Sequence, residues 1–169
     1  MTDTFTITGS GSIFPDNPLF DTINFWDLKL EYNNGLRIHY VSTNYAEEMM
    51  KNLKSGDGTT FYGTKGWISL GRGAAASDIP KLHHELNFEV FGENNRHGYN
   101  FIQSLKGEIT PFNPLDEAIL SDCISHMGNM LIRSGKDKIV WDAVNREIVN
   151  YPELKAMYFQ RESRAPYNG

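Results

Sequence analysis

Polar residues with the chemistry for acid–base catalysis recur at helical spacing in the segment from Asn113 to Gly135. Intervals of four, three and four residues place them along one edge of a helix: Asp122, His126, Asn129 and Arg133. A carboxylate one turn before a histidine can orient the imidazole ring, so Asp122 and His126 are candidates for an acid–base pair, with His97 as a further candidate. Such a helical pair is more often a surface contact worth about 0.2–0.5 kcal/mol, and that interpretation is favoured here.

The segment that carries this polar edge has the signals of one long helix. Asn113 suits the N-cap, Pro114 suits the first helical position, and Gly135 follows the last turn beside Arg133. Its apolar residues fall on one broad face, which predicts that the helix lies across a sheet: Leu115, Ile119, Leu120, Cys123, Ile124, Met127, Met130 and Leu131.

A hairpin is predicted around the turn Asn33-Asn34-Gly35. A three-residue loop with Gly35 in the left-handed region pairs Leu30 with Ile38 and keeps all large apolar residues on one side of the sheet. These inward residues are Trp26, Leu28, Leu30, Tyr32, Leu36, Ile38 and Tyr40. The same register places charged residues on the other side, which we expect to be exposed to solvent or to form a polar interface: Lys29, Glu31, Arg37 and His39.

Further elements are predicted along the rest of the chain. Residues 3–14 suit a strand at a sheet edge, and a second hairpin joins Thr59–Gly63 to Trp67–Arg72 with Tyr62 opposite Ile68. Helices are expected over residues 44–56, from Asn95 to Lys106 with Phe101, Ile102 and Leu105 inward, and after Pro152. Lys138–Asp142 suits a short strand, and the tail 160–169 suits the surface.

The order of these elements predicts the fold class. Strands cluster in the first half and helices in the second, which indicates an α+β fold with helices packed on one face of a mostly antiparallel open sheet. No repeat and no linker divides the sequence, so residues 1–169 are expected to form a single domain.

Composition excludes several classes of function. The formal net charge is -5 with no run of basic residues, which argues against a nucleic-acid partner. No apolar run approaches the roughly 20 residues that span a bilayer, so no membrane partner is expected. The default localisation is cytoplasmic, and a secretion signal on an upstream segment is left open.

Two features that suggest reactive sites have simpler interpretations. Cys123 lies within the apolar helix face, where a small buried hydrophobic residue is the favoured interpretation. The sequence His83-His84-Glu85 suggests a metal site, but Phe88 stands where a zinc helix needs its second histidine, so no metal is expected.

Five motifs occur in an order that resembles a known family. They are FDT with FWDLKLEYNNG, then FYGTKGWISLGRG, RHGYNFIQSLKG, SHMGNMLIRSGKDKIVWD and the closing SRAPY, and the match runs from about Ile7 to Tyr167. In this order they resemble the C-terminal domain of the Gfo/Idh/MocA oxidoreductases, in the branch common in bacteria of the Bacteroidetes type.

The resemblance implies a C-terminal domain that shapes the pocket for a sugar or polyol and mediates oligomers through its sheet. The family's N-terminal Rossmann domain binds NAD or NADP, but the dinucleotide turn and the Glu-Lys-Pro stretch with the family's catalytic lysine do not occur here. We therefore expect no cofactor bound by this chain, a Rossmann domain upstream or in trans, and no catalysis by the chain alone.

Two alternatives remain beside this hypothesis. One is a small enzyme that uses Asp122 and His126 for acid–base catalysis. The other is a small carbohydrate-binding protein that uses tryptophan and tyrosine rings as stacking surfaces. Under the main hypothesis the pocket candidates, chosen for position and chemistry, are His97, Asp122, His126 and Arg133.

Overall fold

A computed structural model describes residues 4–13, 21–42, 58–71, 74–79, 81 and 97–159. The described elements are β1 (Phe5–Ile13), β2 (Ile23–Tyr32), β3 (Arg37–Val41), β4 (Thr59–Gly63), β5 (Gly66–Gly71), β6 (Ala74–Ser77), α1 (His97–Leu105), α2 (Leu115–Ser134), β7 (Lys138–Asp142), β8 (Glu147–Ile148) and α3 (Glu153–Phe159). These antiparallel sheets and helices confirm the α+β fold class.

The chain divides into two compact units. Unit 1 consists of Met1–Ser42 and Leu115–Gly169, and unit 2 consists of Thr43–Pro114. Unit 1 holds a five-stranded sheet in the order β3-β2-β1-β7-β8, and unit 2 holds a three-stranded sheet in the order β4-β5-β6. The single domain over residues 1–169 stays a prediction.

The core of unit 1 lies between one face of its sheet and the inner face of α2. Burial of these apolar side chains is the main force that holds the helix on the strands. The largest buried side chains come from four strands and from the helix: Ile7, Leu28, Leu30, Met127, Met130, Leu131, Ile139 and Ile148.

Strand β1 lies in the middle of the five-stranded sheet, so its predicted place at a sheet edge is wrong. It pairs with β2 on one side and with β7 on the other, where Ile7 lies opposite Leu30 and Ile139. The partner β7 is distant in sequence, and a local pattern of alternating residues carries no information about it.

The first hairpin has the predicted register. Leu30 lies opposite Ile38, Gly35 has φ 88°, and the Gly35 N–H donates to the Tyr32 carbonyl at 2.9 Å. Leu36 departs from the prediction because it is 44% exposed and lies at the turn, before β3 begins. The opposite face carries Lys29, Glu31, Arg37 and His39, all exposed as expected.

The predicted register of the second hairpin is wrong by one residue. Tyr62 lies opposite Trp67, and the turn contains only Thr64 and Lys65 between paired Gly63 and Gly66. Both faces of β4 and β5 carry large side chains, so the hydrophobic pattern does not select one register.

Helix α1 exposes the side chains that were expected to point inward. Phe101, Ile102 and Leu105 are 61%, 49% and 70% exposed, whereas Asn100 is 6% exposed. The Asn100 side chain accepts the Phe112 N–H at 3.0 Å and donates to the Thr110 carbonyl at 3.4 Å. These hydrogen bonds explain why a polar residue takes the buried position, since a buried amide is costly unless it is paired.

Helix α2 confirms the predicted long helix within about two residues at each end. Cys123, Met127, Met130 and Leu131 are buried as expected, but Leu115 is 75% and Ile119 is 37% exposed. Leu120 is the first residue of α2 that packs against the core, so the first turn of the helix lies outside the core.

Three sequence predictions lie outside the described residues. They concern the helix over 44–56, the segment from His83 to Glu85, and the tail 160–169. In the part of the chain that is described, no helix combines the length and apolar character needed to cross a membrane.

Candidate functional site

Helix α2 brings Asp122 and His126 together as its spacing predicts. The His126 Nε2 lies 2.9 Å from the Asp122 Oδ2, and the two side chains are 57% and 67% exposed. Neither residue lines either of the two cavities described below. An exposed pair of this kind contributes little to stability because solvent screens it. We therefore interpret Asp122 and His126 as a surface contact.

Arg133, at the end of the same polar edge, is held by three hydrogen bonds. Its Nε–H donates to the Asn129 Oδ1 at 2.7 Å, and its two terminal nitrogens donate to the Asp21 Oδ2 at 2.9 Å and the Asp21 carbonyl at 2.6 Å. The contact links the last turns of α2 to the residues just before β2. We call Asp21, Asn129 and Arg133 the Arg133 cluster.

The Arg133 guanidinium lowers the pKa of Asp21, first through the side-chain hydrogen bond and second through its charge. A carboxyl whose folded-state pKa lies below its unfolded value stabilises the folded state above the unfolded value. This contribution is therefore present above about pH 3.8 and is lost as the pH falls below that value through the folded-state pKa.

A cavity of about 160 Å³ opens beside the Arg133 cluster, between α2 and strands β2 and β3. Its polar wall is formed by Thr22, Tyr40, Ser125, Asn129 and Arg133. Its apolar wall includes Trp26, whose ring centroid lies 5.5 Å from that of Tyr40. The cavity has the mixed lining typical of a small-molecule site, with a few polar groups beside aromatic and aliphatic side chains.

Sequence reasoning identified Arg133 at this cavity but missed most of its wall. Ser125 was detectable, because it lies three residues after Asp122 and four before Asn129 on the same edge of the helix. Thr22 was not detectable, because it lies just before β2 and no local pattern links it to α2. Tyr40 on β3 was predicted to point inward, but the sequence did not show which residues of α2 it meets.

His97 belongs to unit 2, where it lines a separate cavity of about 450 Å³. The His97 ring meets Phe112 edge-on at a centroid distance of 6.3 Å, and Phe101, Leu105 and Asn100 complete much of the wall. The four candidates therefore occupy three settings: an exposed pair, the Arg133 cluster and the cavity of unit 2.

Cys123, Trp26 and Trp141 do not form an exposed reactive or stacking site. Burial, and secondarily the charge of Asp122, raise the pKa of the Cys123 thiol, which keeps it protonated at neutral pH. Trp141 is 2% exposed, and Trp26 packs against the core. No group of three or more potential metal ligands occurs among the described residues.

Comparison with known proteins adds no further assignment. No family model matches the chain, and neither a curated protein nor a solved structure matches it. The resemblance to the Gfo/Idh/MocA family stays a prediction from the five ordered motifs.

Proposed function

We propose that this chain is the substrate-pocket and oligomerisation part of a Gfo/Idh/MocA-type NAD(P)-dependent oxidoreductase that acts on a sugar or polyol. On this proposal the chain is not catalytic by itself, and a Rossmann domain upstream or in trans supplies the cofactor. The observation that carries the proposal is the exposed outer face of the five-stranded sheet, on the side opposite α2.

The outer face has an ordered charge pattern. His39 pairs with Asp27 across β2 and β3 at 2.6 Å, and Arg37 pairs with Glu31 at 3.4 Å. Lys29 lies in the same row, is exposed, and forms no ion pair with any described residue. Charged groups in fixed positions can determine how a partner surface is oriented when it binds. Electrostatic complementarity at interfaces contributes mainly to this specificity.

The same face also carries apolar area suited to an interface. Val41 on β3 and Val140 on β7 point outward and are only half-buried. An interface typically combines an apolar centre with a polar rim. The outer face therefore supports a contact with a second copy of this chain, as the resemblance implies.

Charge reversal at Lys29 tests this proposal. Lys29→Glu places like charges near each other if two copies meet through the outer face, so we expect the dimer dissociation constant to rise about tenfold or more. Ser121→Glu, which adds a negative charge on the exposed side of α2, is the matched control and should leave the dimer intact. Sedimentation velocity over a range of concentrations measures both.

Two outcomes would count against this assembly. One is a wild-type chain that stays monomeric at high concentration. The other is a dimer that Lys29→Glu and Ser121→Glu weaken equally, because the outer face would then have no special part in it.

A further inference from the structure

The cavity beside the Arg133 cluster has a wall that is rich in hydrogen-bond donors. Its polar side chains are three hydroxyls, one amide and one guanidinium, contributed by Thr22, Tyr40, Ser125, Asn129 and Arg133. Every one of these groups can donate a hydrogen bond, and no carboxylate is found among the described residues of the wall. A ligand that complements the guanidinium and amide donors of this wall offers acceptor oxygens, and the hydroxyls can either donate or accept.

Several of these donors make no hydrogen bond with the described residues. Arg133 has five N–H groups and uses three of them on Asn129 and Asp21, so two have no acceptor in the described part of the chain. The Asn129 oxygen accepts from Arg133, and its NH₂ group donates to no described residue. The hydroxyls of Thr22, Tyr40 and Ser125 make no side-chain hydrogen bond with described residues.

The contact with Asp21 shows that Arg133 binds a carboxylate. The Asp21 carboxylate, 86% exposed, binds Arg133 from outside the cavity lining, one residue before the lining residue Thr22. Arg133 itself is 24% exposed, so the bond places an exposed carboxylate on a largely enclosed cation. Charge-assisted hydrogen bonds are stronger than neutral ones, and a ligand carboxylate that displaced the Asp21 side chain would gain its bond to the terminal nitrogen of Arg133.

The size and the apolar wall limit the rest of the ligand. A cavity of about 150 Å³ holds one benzene molecule, so about 160 Å³ accommodates a compact molecule of about six to eight non-hydrogen atoms. Trp26, Leu28 and Ile132 offer an apolar surface for a short carbon skeleton. The hydroxyls opposite them suit a ligand that carries hydroxyl groups as well as a carboxylate.

We propose that this cavity binds a small hydroxycarboxylate, whose carboxylate replaces the Asp21 side chain on Arg133 and whose hydroxyls meet Thr22, Tyr40 and Ser125. Asp21 then acts as an internal competitor that holds the site closed when no ligand is bound. The inference concerns unit 1 alone and holds independently of the proposed oxidoreductase function.

Titration of the chain with glycerate, which has seven non-hydrogen atoms, tests the proposal by NMR. The indole N–H signal of Trp26, assigned with Trp26→Phe, should shift with saturating behaviour, whereas glycerol, which lacks the carboxylate, should not shift it. Asp21→Asn removes the competitor, so we expect the affinity for glycerate to rise about threefold. Arg133→Gln should lower the affinity about tenfold or more.

The matched control is Arg146→Gln. Arg146 also pairs with an exposed carboxylate, that of Asp116 at 3.3 Å, but it does not line the cavity, so glycerate binding should be unchanged. The proposal is overturned if about 20 mM glycerate shifts no signal in either the wild type or Asp21→Asn. It is also overturned if glycerol binds equally well, or if Arg133→Gln and Arg146→Gln bind glycerate alike.

Discussion

Replacement of Gly9 by valine should destabilise unit 1 by about 2–5 kcal/mol, because two separate costs act at this position. Gly9 has φ 133°, a region that residues with a Cβ rarely adopt. A Cβ built on Gly9 would also overlap the Asp27 carbonyl oxygen on the neighbouring strand β2. The overlap is with backbone in the middle of the sheet, so no side-chain rotation relieves it.

Gly35→Val is the control that separates these two costs. Gly35 also has a positive φ, of 88°, but nothing lies within 4 Å of an added Cβ. We expect only the conformational cost of about 1–2 kcal/mol there. Urea unfolding followed by tryptophan fluorescence in a Trp67→Phe background reports Trp26 and Trp141 of unit 1. Equal losses at Gly9 and Gly35 would show that the overlap with β2 is absent.

Truncation of Met127 to alanine should cost about 2–5 kcal/mol, through lost burial and through the cavity that remains. Met127 is fully buried between α2 and the sheet, where neighbours on several strands limit collapse of the space. The same urea experiment measures the loss. A value below about 1 kcal/mol would contradict the packing of α2 on the sheet.

Leu115→Ala is the matched control on the same helix. The helical pattern places Leu115 and Met127 on one apolar face, but Leu115 is 75% exposed. We therefore expect a change within about 0.5 kcal/mol for Leu115→Ala. A large loss at Leu115 would support the sequence pattern over the observed burial.

These two residues illustrate how much of the fold could be predicted. Helical periodicity identified α2 and its inner face correctly from Cys123 to Leu131, because packing on a sheet requires that periodicity. It did not indicate where along the helix the core begins, since this depends on the strands beneath. Likewise, one-sided hydrophobicity predicted the first hairpin's register correctly. In the second hairpin both faces carry large side chains, which do not select one register, and the predicted register was wrong by one residue.

The candidate sites show the same limit. The spacing of Asp122 and His126 predicted their contact, because residues one turn apart on a helix must be neighbours. The same reasoning could not reveal that Arg133 meets Asp21, which lies on a different segment, or that Thr22 and Tyr40 complete a cavity. Contacts between distant segments require the sheet topology, and no local pattern contains it.

The proposed function requires that a separate domain supplies the cofactor. A dinucleotide is normally held at a glycine-rich turn between a strand and a helix. Gly71-Arg72-Gly73 has a similar glycine spacing, but Gly71 is the last residue of β5, and the next described element is strand β6 instead of a helix. The net charge of -5 also disfavours the binding of two phosphates.

Isothermal titration calorimetry of the folded chain with NADH and with NADPH tests this requirement. We expect no binding tighter than about millimolar for either dinucleotide. A dissociation constant in the micromolar range for either one would contradict it.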